Sequence, residues 1–296
     1  MKKEIALYDV DSKIPNLALM KLSAWHKKQG DNVELYFPLK SYDKVYASQI
    51  FTWSKPLYHY DVLGGSGTEK WDIILPEEVE HIMPNYELYH NMDYALGFTT
   101  RGCIRKCPFC IVPQKEGKIK PVADIYDIWD KKRKDIVLLD NNILGLQEHF
   151  FKITNQIKKE KLRVDFNQGL DCRLLTEKIA KELSEIKHMV YRFSFDFMET
   201  EIFVRKAIKL LTKNKISRCL WYVLVGFNTT LEEDLYRLNL LKDLNQLAFV
   251  QKYNKTEDRK YIPLARWANQ HHIFRGMTFE QFLDRQENKK YKDICL

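Results

Sequence analysis

Strand-like and helix-like segments alternate along almost the whole 296-residue chain. That alternation restricts the fold to α/β architectures built on parallel strands. From residue 96 onward six strand candidates recur with helical segments between them: 96–100, 136–140, 164–167, 190–195, 221–225 and 248–252. Six βα units are two fewer than the eight of a TIM barrel, so the expectation is a partial (β/α)6 barrel of TIM type. The first hundred residues read as a separate α/β unit. Residues 5–10 form a strand, and Asn16 can cap a helix whose Leu17, Leu19, Met20, Leu22 and Trp25 recur at helical spacing. Gly30 ends that helix, and 33–36, 44–48 and 60–63 are further strands. Strand, helix, strand in that order implies a doubly wound domain. Beyond residue 254 the chain reads as a short helical extension. The expected domains are therefore 1–93, 94–254 and 255–296.

After the first barrel strand stands Arg101-Gly102-Cys103-Ile104-Arg105-Lys106-Cys107-Pro108-Phe109-Cys110, a C-x3-C-x2-C spacing. A complete protein ligand set for a four-iron cluster is four thiolates. Three leave one iron open to a small molecule, as a catalytic zinc keeps a fourth position free. Two other readings stand beside this one: a zinc knuckle completed by His81 or His90, and ordinary buried thiols. The chain has a single C-x-x-C knuckle, and His271-His272 are adjacent, the wrong spacing for two ligands on one helix face. Cys172, Cys219 and Cys295 are scattered and read as core or surface thiols. A non-catalytic, zinc-stabilised nucleic-acid-binding module would explain the cysteines but not six βα units with polar strand ends.

The cysteine run resembles the signature of the radical S-adenosylmethionine (radical SAM) enzymes. The resemblance implies a 4Fe-4S cluster on Cys103, Cys107 and Cys110, with SAM chelated by its amino and carboxylate groups at the open iron. It implies one electron from a donor such as flavodoxin or ferredoxin, reductive cleavage of SAM to a 5′-deoxyadenosyl radical, hydrogen abstraction from the substrate, and oxygen sensitivity. Residues at the strand ends inherit cofactor contacts: Phe109 beside the adenine, Asp140 and Asn142 for the methionine amino group, and Asn167 after the third strand. Ser194 and Asp196 take the ribose and carboxylate, Arg205 (or Arg173) the carboxylate, and Gly226 lets adenine approach the backbone. No catalytic residue toward the substrate is assigned. Gln251, Tyr253, Asn254, Arg266, Trp267 and Asn269 are candidate lining residues for an anionic or nucleotide-like substrate, RNA included.

The N-terminal unit resembles the cobalamin-binding domain found in many radical SAM enzymes, whose D-x-H-x-x-G signature supplies a cobalt-ligating histidine. Residues 9–14 hold no histidine, and His26 reads as a surface residue. The expectation is a retained fold without cobalamin, with a cobalamin-dependent radical methyltransferase as the alternative. The first cysteine is Cys103. That argues against the methylthiotransferase branch, whose N-terminal domain carries a second cluster.

Charge is divided unevenly. Residues 1–100 hold 10 Lys/Arg against 14 Asp/Glu, and residues 101–296 hold 38 against 26. The basic residues around the cysteines could attract an anion, offset the cluster's charge, or form a solvated face. No run of 18 apolar residues occurs. With a start that lacks a signal-peptide pattern and no disulfide-like cysteine framework, the expectation is a cytoplasmic protein without membrane association.

Overall fold

The structure, a computed structural model, describes residues 2–68, 70, 73–253 and 258–295. They fall into two compact units, Met1–Thr100 with Pro121–Leu139, and Arg101–Lys120 with Asp140–Leu296.

The first unit carries β1 (Glu4–Asp9), α1 (Leu17–Lys28), β2 (Asn32–Leu35), β3 (Lys44–Ser48), β4 (Val62–Gly64), α2 (Glu77–Glu80) and β5 (Tyr94–Gly97). β1 to β4 form a parallel sheet in the order β2-β1-β3-β4. Ile5, Ala6 and Leu7 of central β1 are fully buried with Leu19 and Met20 of α1. The Asn16 side chain caps α1 as expected, accepting from the Leu19 N–H. The doubly wound expectation is not met, because only the β1–β2 crossover contains a helix. Residues 36–43 are too few for a helical crossover. Residues 49–61 include Pro56 and lack a helical apolar repeat. Their path is set by Asp11 instead, whose carboxylate accepts the backbone N–H groups of Ile50 (2.7 Å) and Phe51 (2.9 Å).

His26 is not on the surface. It is 5% exposed, with Nδ1 2.8 Å from Asp31 and Nε2 3.1 Å from the Tyr46 hydroxyl. Both ring nitrogens are used structurally, which the position of one histidine on a helix does not reveal.

β6 (Thr100–Arg101) and β7 (Lys120–Pro121) bracket the cysteine loop, which contains the short α3 (Val112–Lys115). β8 (Asp135–Leu138) runs parallel to β5 within the first unit, in a register from Tyr94 opposite Asp135 to Gly97 opposite Leu138.

The second unit continues through α4 (Gln147–Glu160), β9 (Arg163–Phe166), α5 (Glu177–Glu185), β10 (Lys187–His188), β11 (Arg192–Ser194), α6 (Glu201–Lys213), β12 (Leu220–Val225), α7 (Leu231–Asp243) and β13 (Leu247–Lys252). β9 and β10 pair in parallel, as do β11, β12 and β13. A parallel bridge from Leu170 to Phe193 links the segment after β9 to β11. Every one of the six strand candidates contains a strand, but 190–195 proves to be the second of two short pieces. Along β11 to β13, Phe193, Trp221, Val223, Val225, Ala248 and Val250 are buried, while Arg192, Ser194, Tyr222 and Gln251 alternate with them and stay accessible. This period of two puts the apolar set on one sheet face.

The C-terminal segment forms α8 (Tyr261–Ala268), α9 (His271–Gly276), α10 (Phe279–Asp284) and α11 (Lys292–Cys295). The Asn269 amide accepts from the Val250 N–H (2.6 Å) and donates to the Val250 carbonyl (3.2 Å), so it closes the edge of β13. Trp267 is fully buried, with its indole N–H on the Met277 carbonyl. Neither is therefore placed to line a substrate site, because tertiary packing and the sheet edge already use them. Arg266 and Gln251 are exposed and Tyr253 is half-buried; Asn254 lies outside the described residues. No helix among the described residues is long and apolar enough to cross a membrane.

Candidate functional site

The cysteine loop is shaped by backbone constraints before its side chains matter. Gly102 has φ +80°, and a Cβ there would sit 2.4 Å from the Lys118 carbonyl oxygen, so only glycine lets the two arms of the loop meet. The Cys103 N–H donates to the Gly117 carbonyl (3.3 Å), and the Cys110 N–H to the Cys107 carbonyl (3.0 Å). Glu116 holds the loop's base. It accepts from Arg101 (3.3 Å), from the Gly102 N–H (2.9 Å) and from the Asn141 amide (2.8 Å).

All three thiols are half-buried. Burial pushes the Cys107 and Cys110 thiols up, with the nearby Arg173 charge opposing this at Cys107. Among the described residues no three His, Cys, Asp or Glu side chains are gathered as one metal ion would require.

Asp171 ties this loop to the segment after β9. Its carboxylate accepts from Arg105 Nε (2.8 Å), Asn142 Nδ2 (3.3 Å) and Arg173 Nε (2.7 Å). Burial favours the neutral acid, but the Arg173 and Arg105 bonds outweigh it and hold the carboxyl below its usual range. Asn142 is 4% exposed, and its Nδ2 also approaches Cys103 Sγ (3.7 Å). Its Oδ1 is buried with no hydrogen-bond partner. A buried acceptor left open close to the Cys103 thiol fits a site completed by a bound donor group.

On the far side of Cys107 lies a cleft lined by Cys172, Arg173, Ser194, Asp196 and Phe197, with an enclosed part of about 40 Å³. Such a volume admits about three waters, the scale of one end of a ligand and not of a nucleoside. Asp196 accepts from the Leu224 N–H (3.0 Å), and burial raises its pKa. Phe109 packs against Phe197 (5.6 Å) and Phe227 (5.5 Å), and Phe227 meets Tyr253 (4.7 Å). Gly226, with φ +77°, turns the chain after β12. A capping box opens α7, with Thr230 and Glu233 bonded reciprocally.

The structure therefore brings Cys107, Ser194 and Asp196 to one cleft, with Asn142 reached through Asp171. Asp140 is buried at 3% exposure beside Asn142 in sequence. Asn167 follows β9, its backbone carbonyl accepting from the Tyr222 hydroxyl (3.0 Å). Arg205 is not on the cleft wall. It is half-exposed on α6 and paired with Glu201 one turn away (2.7 Å), whereas Arg173 lines the cleft. Cys172 belongs to that wall too, and burial lifts its thiol to about 12. The sequence gives no orientation for a lone cysteine. Glu116 also escaped sequence reasoning, although it is the single acid among residues 101–120.

No family model matches the chain. It is 32% identical over 120 residues to a tRNA-2-methylthio-N(6)-dimethylallyladenosine synthase of Flavobacterium johnsoniae, covering 36% of this chain and 24% of that protein. A protein of the same name from Hydrogenobaculum is 23% identical over 215 residues, covering 62% and 49%. The chain thus spans between about a fifth and a half of the length of the curated relatives it matches. In fold it resembles the radical S-adenosylmethionine methyltransferase TsrM of Kitasatospora setae, solved with cobalamin and a 4Fe-4S cluster. The TM-score is 0.61 at 12% identity, over 85% of this chain and 75% of that one. At 12% identity the likeness to TsrM is one of fold.

Proposed function

We propose that this chain is a radical SAM enzyme that cleaves SAM reductively and abstracts a hydrogen atom from an anionic or nucleotide-like substrate. One observation carries the reading: Cys107 of the three-thiol loop opens onto the cleft that Arg173, Ser194 and Asp196 line. Cys103, Cys107 and Cys110 would hold a 4Fe-4S cluster, and the unpartnered Asn142 Oδ1 would accept from a bound amino group. A cluster held there would supply the single electron needed for reductive cleavage of SAM. The chain's own residues orient and seal. Arg173 presents a planar guanidinium suited to a carboxylate, and we prefer it to Arg205. The small enclosed volume suits the amino-carboxylate end of SAM. Phe109 with Phe197 and Phe227 excludes water on the cluster side. The domain division 1–93, 94–254 and 255–296 is part of this proposal.

The curated relatives' name specifies a modified adenosine in tRNA, which together with the basic second unit supports a nucleotide or RNA substrate. The likeness to TsrM favours a second reading, a cobalamin-dependent radical methyltransferase. Against it, residues 9–14 hold no histidine, and the acids of that loop are engaged internally. Asp9 accepts from the Ser12 N–H (3.0 Å) and the Tyr89 hydroxyl (2.6 Å), and Asp11 is held by the 49–61 segment. Anaerobic reconstitution with iron and sulfide tests the proposal, followed by paramagnetic resonance of the reduced protein with and without SAM. About four irons per chain and a spectrum altered by SAM are expected. Zinc in place of iron, or a spectrum indifferent to SAM, would contradict the reading. Corrin absorption in the purified protein would favour the methyltransferase alternative.

A further inference from the structure

The accessible face of the β11–β13 sheet carries a row of side chains that runs away from the cleft. In the parallel register Ser194 stands opposite Tyr222, and Tyr222 opposite Phe249. Residues paired in this way share a sheet face, and neighbouring strands lie about 4.8 Å apart. Phe249 is therefore about 10 Å from Ser194, the member of the row that lines the cleft with Cys107. Tyr222 is held in place. Its hydroxyl donates to the Asn167 carbonyl (3.0 Å), and its ring edge lies 3.7 Å from the Cβ position of Gly169. Phe249 meets the Tyr222 ring nearly at right angles, with centroids 6.0 Å apart and planes at 83°. It is 38% exposed, and among the described residues no other ring touches it. Two residues further along β13, on the same face, Gln251 is exposed opposite Leu224. Its carboxamide has no hydrogen-bond partner among the described residues.

A single exposed phenylalanine needs no explanation. Phe249 differs because its row leads to the cleft, its neighbouring ring is clamped, and an open carboxamide stands in the next row. A flat ring laid on Phe249 gains stacking. The Gln251 carboxamide offers a donor beside an acceptor, the pair that matches N6 and N7 of adenine. Lys252, next in sequence, is exposed and has no ion-pair partner among the described residues, which suits a phosphate. An aromatic amino acid would stack equally well but presents no such edge to the amide. We propose that Phe249 and Gln251 hold the base of the substrate, an adenine-type purine of a free nucleotide or of an RNA strand. The inference deepens the proposed function and rests on it for the bound nucleotide to be the substrate.

The test is calorimetric titration of the reconstituted holoenzyme, saturated with SAM so that the two adenines do not compete. The probes are AMP, CMP, a short oligoadenylate and tryptophan. The parent should prefer adenylate to CMP by about ten-fold or more. Phe249→Leu should weaken adenylate binding about ten-fold, while Phe249→Trp should retain it. Gln251→Leu should bring adenylate and cytidylate within about two-fold of each other. The same responses with AMP would assign the base to a free nucleotide, and with oligoadenylate alone to an RNA strand. Adenylate binding that no variant alters, or no adenylate binding at all, would overturn the inference. Capture of tryptophan in place of adenylate would also overturn it, and would assign the face to an aromatic amino acid. Formation of 5′-deoxyadenosine with dithionite is measured on the same preparations. Product without nucleotide binding sinks this inference alone, and nucleotide binding without product sinks the functional reading alone.

Discussion

Asp171 accepts from Arg105 on the cysteine loop and from Arg173 on the cleft wall, so one carboxylate sets the spacing of the two parts of the site. Arg173, bonded to Asp171 through Nε and Nη2, thus stands on the cleft wall, and Arg205 does not. Arg173→Ala should weaken SAM binding to the reconstituted protein at least ten-fold by calorimetry. Arg205→Ala should leave it unchanged and cost no more than about 0.5 kcal/mol of stability, the worth of an exposed i,i+4 pair. The three-thiol loop was legible because its spacing is written in the sequence itself. Arg173 and Arg205 were not separable, since each is one residue on a βα connection and only packing decides which faces the cleft. Trp267 and Asn269 were misread for the same reason: a polar or aromatic side chain carries no label for the core or for a sheet edge. In the first unit, Asp31 is held below its ordinary 3.8 by bonds from His26 and the Lys3 N–H, against a smaller burial effect. A depressed carboxyl stabilises the fold above its unfolded pKa and stops doing so as pH falls through the folded one. Asp31→Asn should therefore lower Tm at pH 7, and the gap to the parent should close as pH is taken below about 4. A constant gap across that range would refute this assignment.

At the scale of elements, the ends of β11 and β12 are fixed from behind by α7. Arg237, fully buried, donates to the Phe195 and Leu224 carbonyls and pairs with the equally buried Asp234. The carbonyl end of Leu224 is thus held from α7 while its N–H binds Asp196 on the cleft. Breaking a buried pair strands the surviving charge, so Arg237→Ala should cost about 3–5 kcal/mol in denaturant unfolding. The Asn269 cap on β13 belongs to the same scale. Asn269→Ala leaves a backbone donor and acceptor open at an edge, with an expected loss of about 1–3 kcal/mol. A change below a few tenths would mean that water replaces the amide fully. Strands were the most legible elements, because short apolar runs between polar ends mark them. The helix-free crossovers of the first unit were less so, because apolar runs mark the strands, while the connections at 36–43 and 49–61 show themselves only in their length and in Pro56.

For the whole molecule, charge and architecture point the same way. Parallel strands deliver their polar ends to one region of the second unit, and that unit also contains the cysteine loop. A zinc-stabilised binding module has no need of the cleft at Cys107, whereas a SAM-cleaving enzyme does. The most direct measurement is therefore formation of 5′-deoxyadenosine by the anaerobically reconstituted, dithionite-reduced protein given SAM, beside the Cys107→Ala variant. The account predicts product from the parent protein and none above background from the variant. Equal product from both, or none from a parent that carries a full cluster and binds SAM, would contradict it.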